Sequence, residues 1–253
     1  MSELLLECKD LSFSYHTPEG EIPVISHMNF GIYKGEFVSI VGPSGCGKST
    51  LLNLMTNMLK PEEGSILLHC NYDTPTAFGY MLQQDHLFEW YDIWENICLG
   101  PKMNKCCTPE CEVYLETLLE RYGLANFKNK KPSELSGGMR QRAAIIRTLA
   151  MKPELLYLDE PFSSLDYQNR LNAADDIGQI IRKEGKTAVL VTHDIGEAIS
   201  LSSRILVLSK RPTTIKKEFL LPFRSQGLTP LEIRNSKQFG EYFNKIWKEL
   251  NKP

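Results

Sequence analysis

FVSIVGPSGCGKSTLLNLMTNML, residues 37–59, decides how the rest of the chain is read. An apolar run, Phe37–Val41, meets Gly42-Pro43-Ser44-Gly45-Cys46-Gly47. Lys48, Ser49 and Thr50 then open a segment with apolar residues at Leu51, Leu52, Met55, Met58 and Leu59. The first run is short and rich in β-branched residues, as a buried strand is. The second has the spacing of one helical face and is expected to end at Pro61. A glycine-rich turn between strand and helix lets backbone N–H groups point inward around an anion, and the helix dipole adds to the attraction. In that setting the stretch is a phosphate-binding loop. Lys48 is expected to reach the β- and γ-phosphates of a nucleotide, and the Ser49 hydroxyl to bind Mg²⁺.

Outward from this loop, Leu4–Cys8, Ser65–Leu68, Leu155–Leu158, Thr187–Val191 and Ile205–Leu208 are further strand candidates. The last four are short and apolar, as parallel strands covered on both faces should be. HTPEGEIPV reads as a hairpin-type connection. The stretch from about Trp94 to Leu149 is helix-forming and charged, with little strand signal. The expectation is a single α/β domain with its core at about 1–93 and 150–211 and a helical lobe inserted at about 94–149. A tail at 212–253 contains an amphipathic helix candidate, SKQFGEYFNKIWKELNK.

Leu155-Leu156-Tyr157-Leu158-Asp159-Glu160-Pro161 is an apolar strand ending in two carboxylates, and it resembles a Walker B element. Asp159 is expected to hold Mg²⁺, directly or through water, and Glu160 to polarise an attacking water. A solvated acidic turn after a strand would look the same in isolation; the phosphate loop in the same chain favours the chemical reading. Leu135-Ser136-Gly137-Gly138-Met139-Arg140-Gln141-Arg142 precedes a helical run, and such an entrance makes a second anion site from backbone N–H groups. One chain needs two such sites only if two phosphates, or both ends of one ligand, are held.

An LSGGMRQR segment lying between a phosphate loop and LDEP resembles the signature of the ABC ATPase family, and the resemblance runs to about Arg211. It implies a P-loop NTPase (RecA-like) core with a mainly parallel sheet, an N-terminal antiparallel β subdomain and an inserted helical lobe. It also implies that Tyr15 stacks on adenine, that Gln83 in YMLQQD links Mg²⁺ to the lobe, and that His193 in VTHD senses the γ-phosphate. SSLD, Ser163–Asp166, matches the loop that crosses a dimer interface. The implied catalytic set is Lys48, Glu160 and His193. The implied nucleotide contacts are Tyr15, the loop from Gly42 to Thr50, Gln83, Ser136, Gly137, Gly138 and Asp166, with Ser49, Gln83 and Asp159 toward the metal. Two copies would pack head to tail, each ATP lying between one copy's phosphate loop and the other's LSGGM. This accounts for two anion-binding helix entrances in one chain, because they serve different nucleotides.

GEFVSIVGPSGCGKSTLL and GYMLQQDHLFEW resemble the nitrate, sulfonate and taurine importer branch, which also includes transporters of pyrimidine precursors of thiamine. Two departures stand out: Phe88-Glu89-Trp90 where that branch has LLPW, and Asn57 where a glycine is common. The resemblance implies transmembrane permease subunits, a solute-binding protein reached through them, and a place at the cytoplasmic face of the membrane. The group from Leu87 to Trp94 (Leu87, Phe88, Trp90, Tyr91 and Trp94) is the candidate surface for a short permease helix, with Glu89 at its rim.

Composition agrees. With 42% hydrophobic residues in 253, the chain can bury a large core, and a formal charge of −2 gives no sign of nucleic-acid coating. No apolar stretch approaches the ~18–20 residues of a membrane span, and the start does not read as a secretory signal. The seven cysteines, Cys8, Cys46, Cys70, Cys98, Cys106, Cys107 and Cys111, read as reduced thiols. Four of them fall at 98–111, but without zinc-like spacing or a nearby histidine they read as small apolar filler. A soluble ABC ATPase serving iron–sulfur assembly or DNA repair is the competing class. The chain lacks the long or zinc-bearing insertions of repair members, and its GGMRQR departs from the assembly type. A degenerate scaffold would have to lack Lys48, Glu160 or His193.

Overall fold

Alternating apolar strands and capped helices give the computed structural model, which describes residues 3–69, 78–223 and 226–252, an α/β order. The elements are β1 (Leu4–Thr17), β2 (Gly20–Tyr33), β3 (Phe37–Val41), α1 (Lys48–Met55), β4 (Glu63–Leu68), β5 (Phe78–Met81), α2 (Ile93–Met103) and α3 (Pro109–Arg121). After two single-turn 3₁₀ segments follow α4 (Gly137–Leu149), β6 (Leu155–Asp159), α5 (Tyr167–Lys183), β7 (Thr187–Thr192), α6 (Ile195–Leu201) and β8 (Arg204–Leu208). The chain closes with β9 (Ile215–Leu220), α7 (Pro230–Arg234) and α8 (Lys237–Asn251). Two compact units result, residues 1–70 with 187–253, and residues 71–186.

In the first unit β1 and β2 form a long antiparallel hairpin that turns just after Thr17, inside the Gly- and Pro-bearing connection. β4 adds antiparallel to the other edge of β1, with Leu6 opposite Leu68 and Cys8 opposite Ile66. This corrects the expectation of a parallel strand covered on both faces at Ser65–Leu68. As the edge of an open three-stranded sheet, β4 packs one face only and none of its residues is fully buried. The parallel layer is β7-β3-β8, where every residue of the three strands is buried. β9 pairs antiparallel with β8 and was not foreseen, because IKKEFL carries an edge strand's charge rather than an apolar run. Arg204 anchors β8 by pairing with Glu36 at 2.8 Å and Glu218 at 3.3 Å.

Helix α1 stops at Met55, a turn earlier than the apolar pattern suggests. The Thr56 hydroxyl donates back to the Leu52 carbonyl at 3.0 Å, and Asn57 takes a left-handed φ of 59°. Asparagine tolerates that conformation and so ends the helix. Met58, expected on the apolar face of this helix, lies past its end and is 61% exposed. The tail helix α8 packs Ile246, Phe239 and Tyr242 on a cluster built from Val41, Ile199 and Val207.

In the second unit β5 runs parallel to β6. β5 escaped notice because FGYM is only 4 residues long and starts with a glycine at its second position. Helices α2, α3 and α4 fill the stretch read as helical, each with a polar N-cap: Asp92, Thr108 and Ser136.

Candidate functional site

The phosphate loop is made by close backbone packing. Gly47 has a φ of 115°, and a Cβ there would lie 2.6 Å from the Val24 Cγ1, so only glycine fits. At Gly42 a Cβ would meet the Cys46 sulfur at 2.8 Å. The buried Thr213 hydroxyl donates to the Cys46 carbonyl and ties the loop to the start of β9. Burial pushes the Cys46 thiol up, against the opposing charge of Lys48. Lys48 is buried, and its ammonium donates to the carbonyls of Gly42 at 3.0 Å and Pro43 at 3.1 Å. Its charge therefore stands over the loop that would receive phosphates.

Tyr15 joins this loop. Its ring meets Phe13 edge-on at 5.0 Å and is 39% exposed, while its hydroxyl lies 3.3 Å from the Thr50 hydroxyl. A flat aromatic face is thus available beside the first turn of α1. His193 follows the end of β7, which is in register with β3 so that Thr192 stands beside Val41. Both the loop and His193 therefore leave the carboxyl edge of adjacent parallel strands, the usual place for a nucleotide. His193 is exposed. The chain on either side of it is fixed: Thr192 Oγ1 donates to the buried Glu197 carboxylate at 2.7 Å and accepts from the Asp194 amide at 3.0 Å. Sequence reasoning missed Thr192 and Glu197, because the burial that makes the acid need a partner is not written in the string.

The second unit carries the carboxylates, Gln83 and the signature. Met81 and Leu158 are in register, so Gln83 and the Asp159-Glu160 pair leave neighbouring strands at the same edge. The Tyr80 hydroxyl donates to Asp159 Oδ2 at 3.2 Å, and burial first, then Asp159, holds the phenol above its usual pKa. Glu160 has a left-handed φ of 43°, and its carbonyl accepts from both the amide and the hydroxyl of Ser163. A non-glycine residue keeps such a backbone only where the surrounding turn fixes it, as the two Ser163 bonds do here. Gln83 is exposed. Asp166 caps α5 through the Asn169 amide, and these hydrogen bonds hold its carboxyl below the usual range.

At the signature, Ser136 caps α4 by accepting from the Met139 amide at 3.4 Å. A Cβ on Gly137 would press the Leu165 side chain at 2.9 Å, whereas beside Gly138 there is open space. Arg140 of the same turn grips Asp85 with two hydrogen bonds, at 2.9 and 3.0 Å, and Glu89 at 2.7 Å. Arg147, two turns further, donates to the carbonyls of Asp85 and His86, each at 2.7 Å. Burial alone would raise the Asp85 carboxyl; the bonds from Arg140 and the Leu87 amide outweigh it and hold the pKa low. Glu89, expected at the rim of the permease surface, is paired within the chain with Arg140.

The aromatic group after Gln83 divides. Leu87 is buried, Trp94 lies under the Lys128 ammonium at 3.8 Å, and Trp90 is 67% exposed. Phe88 meets Trp90 in a tilted ring pair with centroids 4.9 Å apart. It also lines a mostly apolar cavity of about 400 Å³ with Leu82, His86, Leu99, Met103 and Met151. Among the described residues no helix is long and apolar enough to cross a membrane, and no group of three or more His, Cys, Asp or Glu side chains is placed to hold a metal ion. Cys70 lies outside the described residues.

The family model described as "ABC transporter" matches residues 25–163. The chain is 42% identical to the uncharacterized ABC transporter ATP-binding protein YtlC of Bacillus subtilis, over 97% of this chain and 95% of that protein. It is 39% identical to the taurine import ATP-binding protein TauB of Pelagibacter ubique, over 98% of this chain and 96% of that protein. Among solved structures, the dimeric post-hydrolysis state of the ATP-binding cassette MJ0796 bound to ADP and Pi superposes with a TM-score of 0.69. That match has 32% identity and covers 86% of this chain and 99% of that one.

Proposed function

Because this chain belongs to the ABC transporter family, as an ATP-binding and ATP-hydrolysing subunit, we propose that it works as one half of a dimer that drives import of a small solute. Each ATP would lie between the phosphate loop of one copy and Ser136-Gly137-Gly138 of the other. The observation that carries this reading is the entrance of α4: Ser136 is exposed and Gly138 faces open space, so a second chain's nucleotide can approach the N–H groups there. The dimeric, ADP- and Pi-bound relative supports it.

Within that site Tyr15 stacks on adenine, the amides from Gly42 to Thr50 cradle the phosphates, and Lys48 neutralises them. Glu160 orients the attacking water and accepts its proton, and His193 contacts the γ-phosphate. Asp166, at the head of α5, faces the partner copy. Ser49, Gln83 and Asp159 offer oxygen donors only, the set that suits a hard cation such as Mg²⁺. Held by these residues, such an ion would supply charge neutralisation at the phosphate oxygens.

The solute belongs to the class of small anionic or zwitterionic molecules, as taurine is for the TauB relatives, delivered by a solute-binding protein through permease subunits. The chain sits at the cytoplasmic face of the membrane. The cavity beside Phe88 receives a short cytoplasmic helix of the permease, since apolar grooves of this kind take amphipathic helices. Phe88→Ala or Trp90→Ala should therefore remove permease from pull-downs, as truncation of an aromatic anchor costs about 2 kcal/mol or more. Melting temperature and ATP-driven dimerisation serve as controls. Normal melting with unchanged permease capture would place the docking surface elsewhere, and a large drop in melting would show that the rings are core.

A further inference from the structure

We propose that Tyr80 is a positioning residue of the nucleotide site: its hydroxyl sets the Asp159 carboxylate, and its ring passes the state of the groove beside Phe88 to that carboxylate. The proposal rests on two readings given above, Asp159 as a holder of the cation and the groove as the seat of a permease helix.

The register of β5 and β6 brings the pair together. Phe78 stands opposite Leu155 and Tyr80 opposite Tyr157. Partners in a parallel pair share a face, and so do residues two apart in one strand. Phe78, Tyr80, Tyr157 and Asp159 therefore share one face, and the Phe78 and Tyr157 rings meet edge-on there at 5.4 Å. From the level of Tyr80 to Asp159 is two residues along β6, about 6.6 Å at about 3.3 Å per residue. A tyrosine leaning toward the strand's end covers that span, and its hydroxyl donates to Asp159 Oδ2 at 3.2 Å. A phenylalanine lacks the atom that closes it.

Both ends of this bond have a reason to matter. A Cβ on Gly79 would lie 2.5 Å from the Thr148 Cγ2 of α4 and 3.1 Å from the Leu156 Cδ2 of β6. The backbone beside Tyr80 is thus packed against α4 and β6, which fixes where the ring starts. At the other end β6 closes on Asp159, and a carboxylate at a strand end turns about its own bonds unless partners hold it. Hydrogen bonds to a metal-holding carboxylate set its orientation, and losing one typically weakens metal binding by about 10–100-fold.

The same side chain belongs to the groove. Tyr80 is half-buried and lines the cavity of about 400 Å³ together with Leu82, Phe88 and Met103. One residue is therefore part of the groove wall and, through its hydroxyl, the partner of Asp159. A helix seated in the groove presses on the ring and changes how firmly the hydroxyl holds the carboxylate.

The test measures the affinity of the full chain for β,γ-imido-ATP, which is not hydrolysed, in Mg²⁺ and in EDTA. The ratio is the gain that the metal brings. In Tyr80→Phe this gain should fall roughly ten-fold, while affinity in EDTA and thermal melting stay those of the parent. A ring that only packs would leave the gain unchanged or lower both affinities together, and either result would overturn the proposal. Asp159→Asn separates it from the reading on which it rests. Gain lost in Asp159→Asn but kept in Tyr80→Phe would overturn the role of Tyr80 alone. Gain kept in Asp159→Asn would overturn the reading of Asp159 and the role of Tyr80 with it. Assembly with permease subunits, captured through a tag on this chain, should change the parent's gain several-fold and leave that of Tyr80→Phe alone. No change in the parent, or equal changes in both, would overturn the link to the groove. Failure to capture permease would sink the groove reading and that link, while the isolated chain still decides the hydroxyl.

Discussion

Glu160→Gln is expected to bind ATP as the parent does while turnover falls by roughly 10²–10⁴, about 3–5.5 kcal/mol of transition-state stabilisation. The substitution keeps size and hydrogen bonding but removes the proton acceptor. The backbone at this position is held independently of the carboxylate: Ser163 donates twice to the Glu160 carbonyl. A fold-level explanation for the loss is therefore weak, and equal thermal melting of both proteins would exclude it. Single-turnover hydrolysis separates the outcomes. Turnover within a few-fold of the parent would show that another group activates the water.

The second large effect separates binding from hydrolysis. Lys48→Ala should weaken ATP binding by the isolated subunit, because it removes a buried ammonium centred on the loop carbonyls. Ser136→Arg should leave binding by the monomer nearly intact and abolish hydrolysis, since the bulky cation stands where the partner's nucleotide would come. Mixing the two variants gives heterodimers in which one of the two composite sites keeps both an intact loop and an intact signature. Partial ATPase activity should return in the mixture, though neither variant shows it alone. Equal loss of monomer binding in the two variants would contradict a site shared between copies.

Legibility from sequence followed the physics of each element. Phe37–Val41, Leu155–Asp159 and Thr187–Thr192 were plain because buried parallel strands are written as continuous apolar runs. The phosphate loop and the signature could be read because their chemistry is done by backbone amides, which forces glycines at fixed places. β4 was found but misassigned, since a short apolar run does not say whether one face or both are covered. β9 stayed hidden because its edge position needs charge rather than apolar side chains. Tertiary pairings were beyond reach: nothing in the string joins Arg140 to Asp85, or Thr192 to Glu197. The early end of α1 turned on one asparagine whose left-handed backbone an apolar pattern does not register.

Arg140 and Arg147 together hold Asp85, His86 and Glu89 against α4, through four side-chain or carbonyl groups on one short segment. Thermodynamic reciprocity gives this clamp a meaning that runs both ways. If a permease helix seated beside Phe88 changes the affinity of the α4 entrance for a nucleotide, then nucleotide at that entrance changes the affinity for the permease by the same factor. A transporter built on such a joint cannot have a signature that commands and a groove that merely obeys. The occupancy of each is a measure of the other, and loosening Arg140 should blunt both responses in equal proportion.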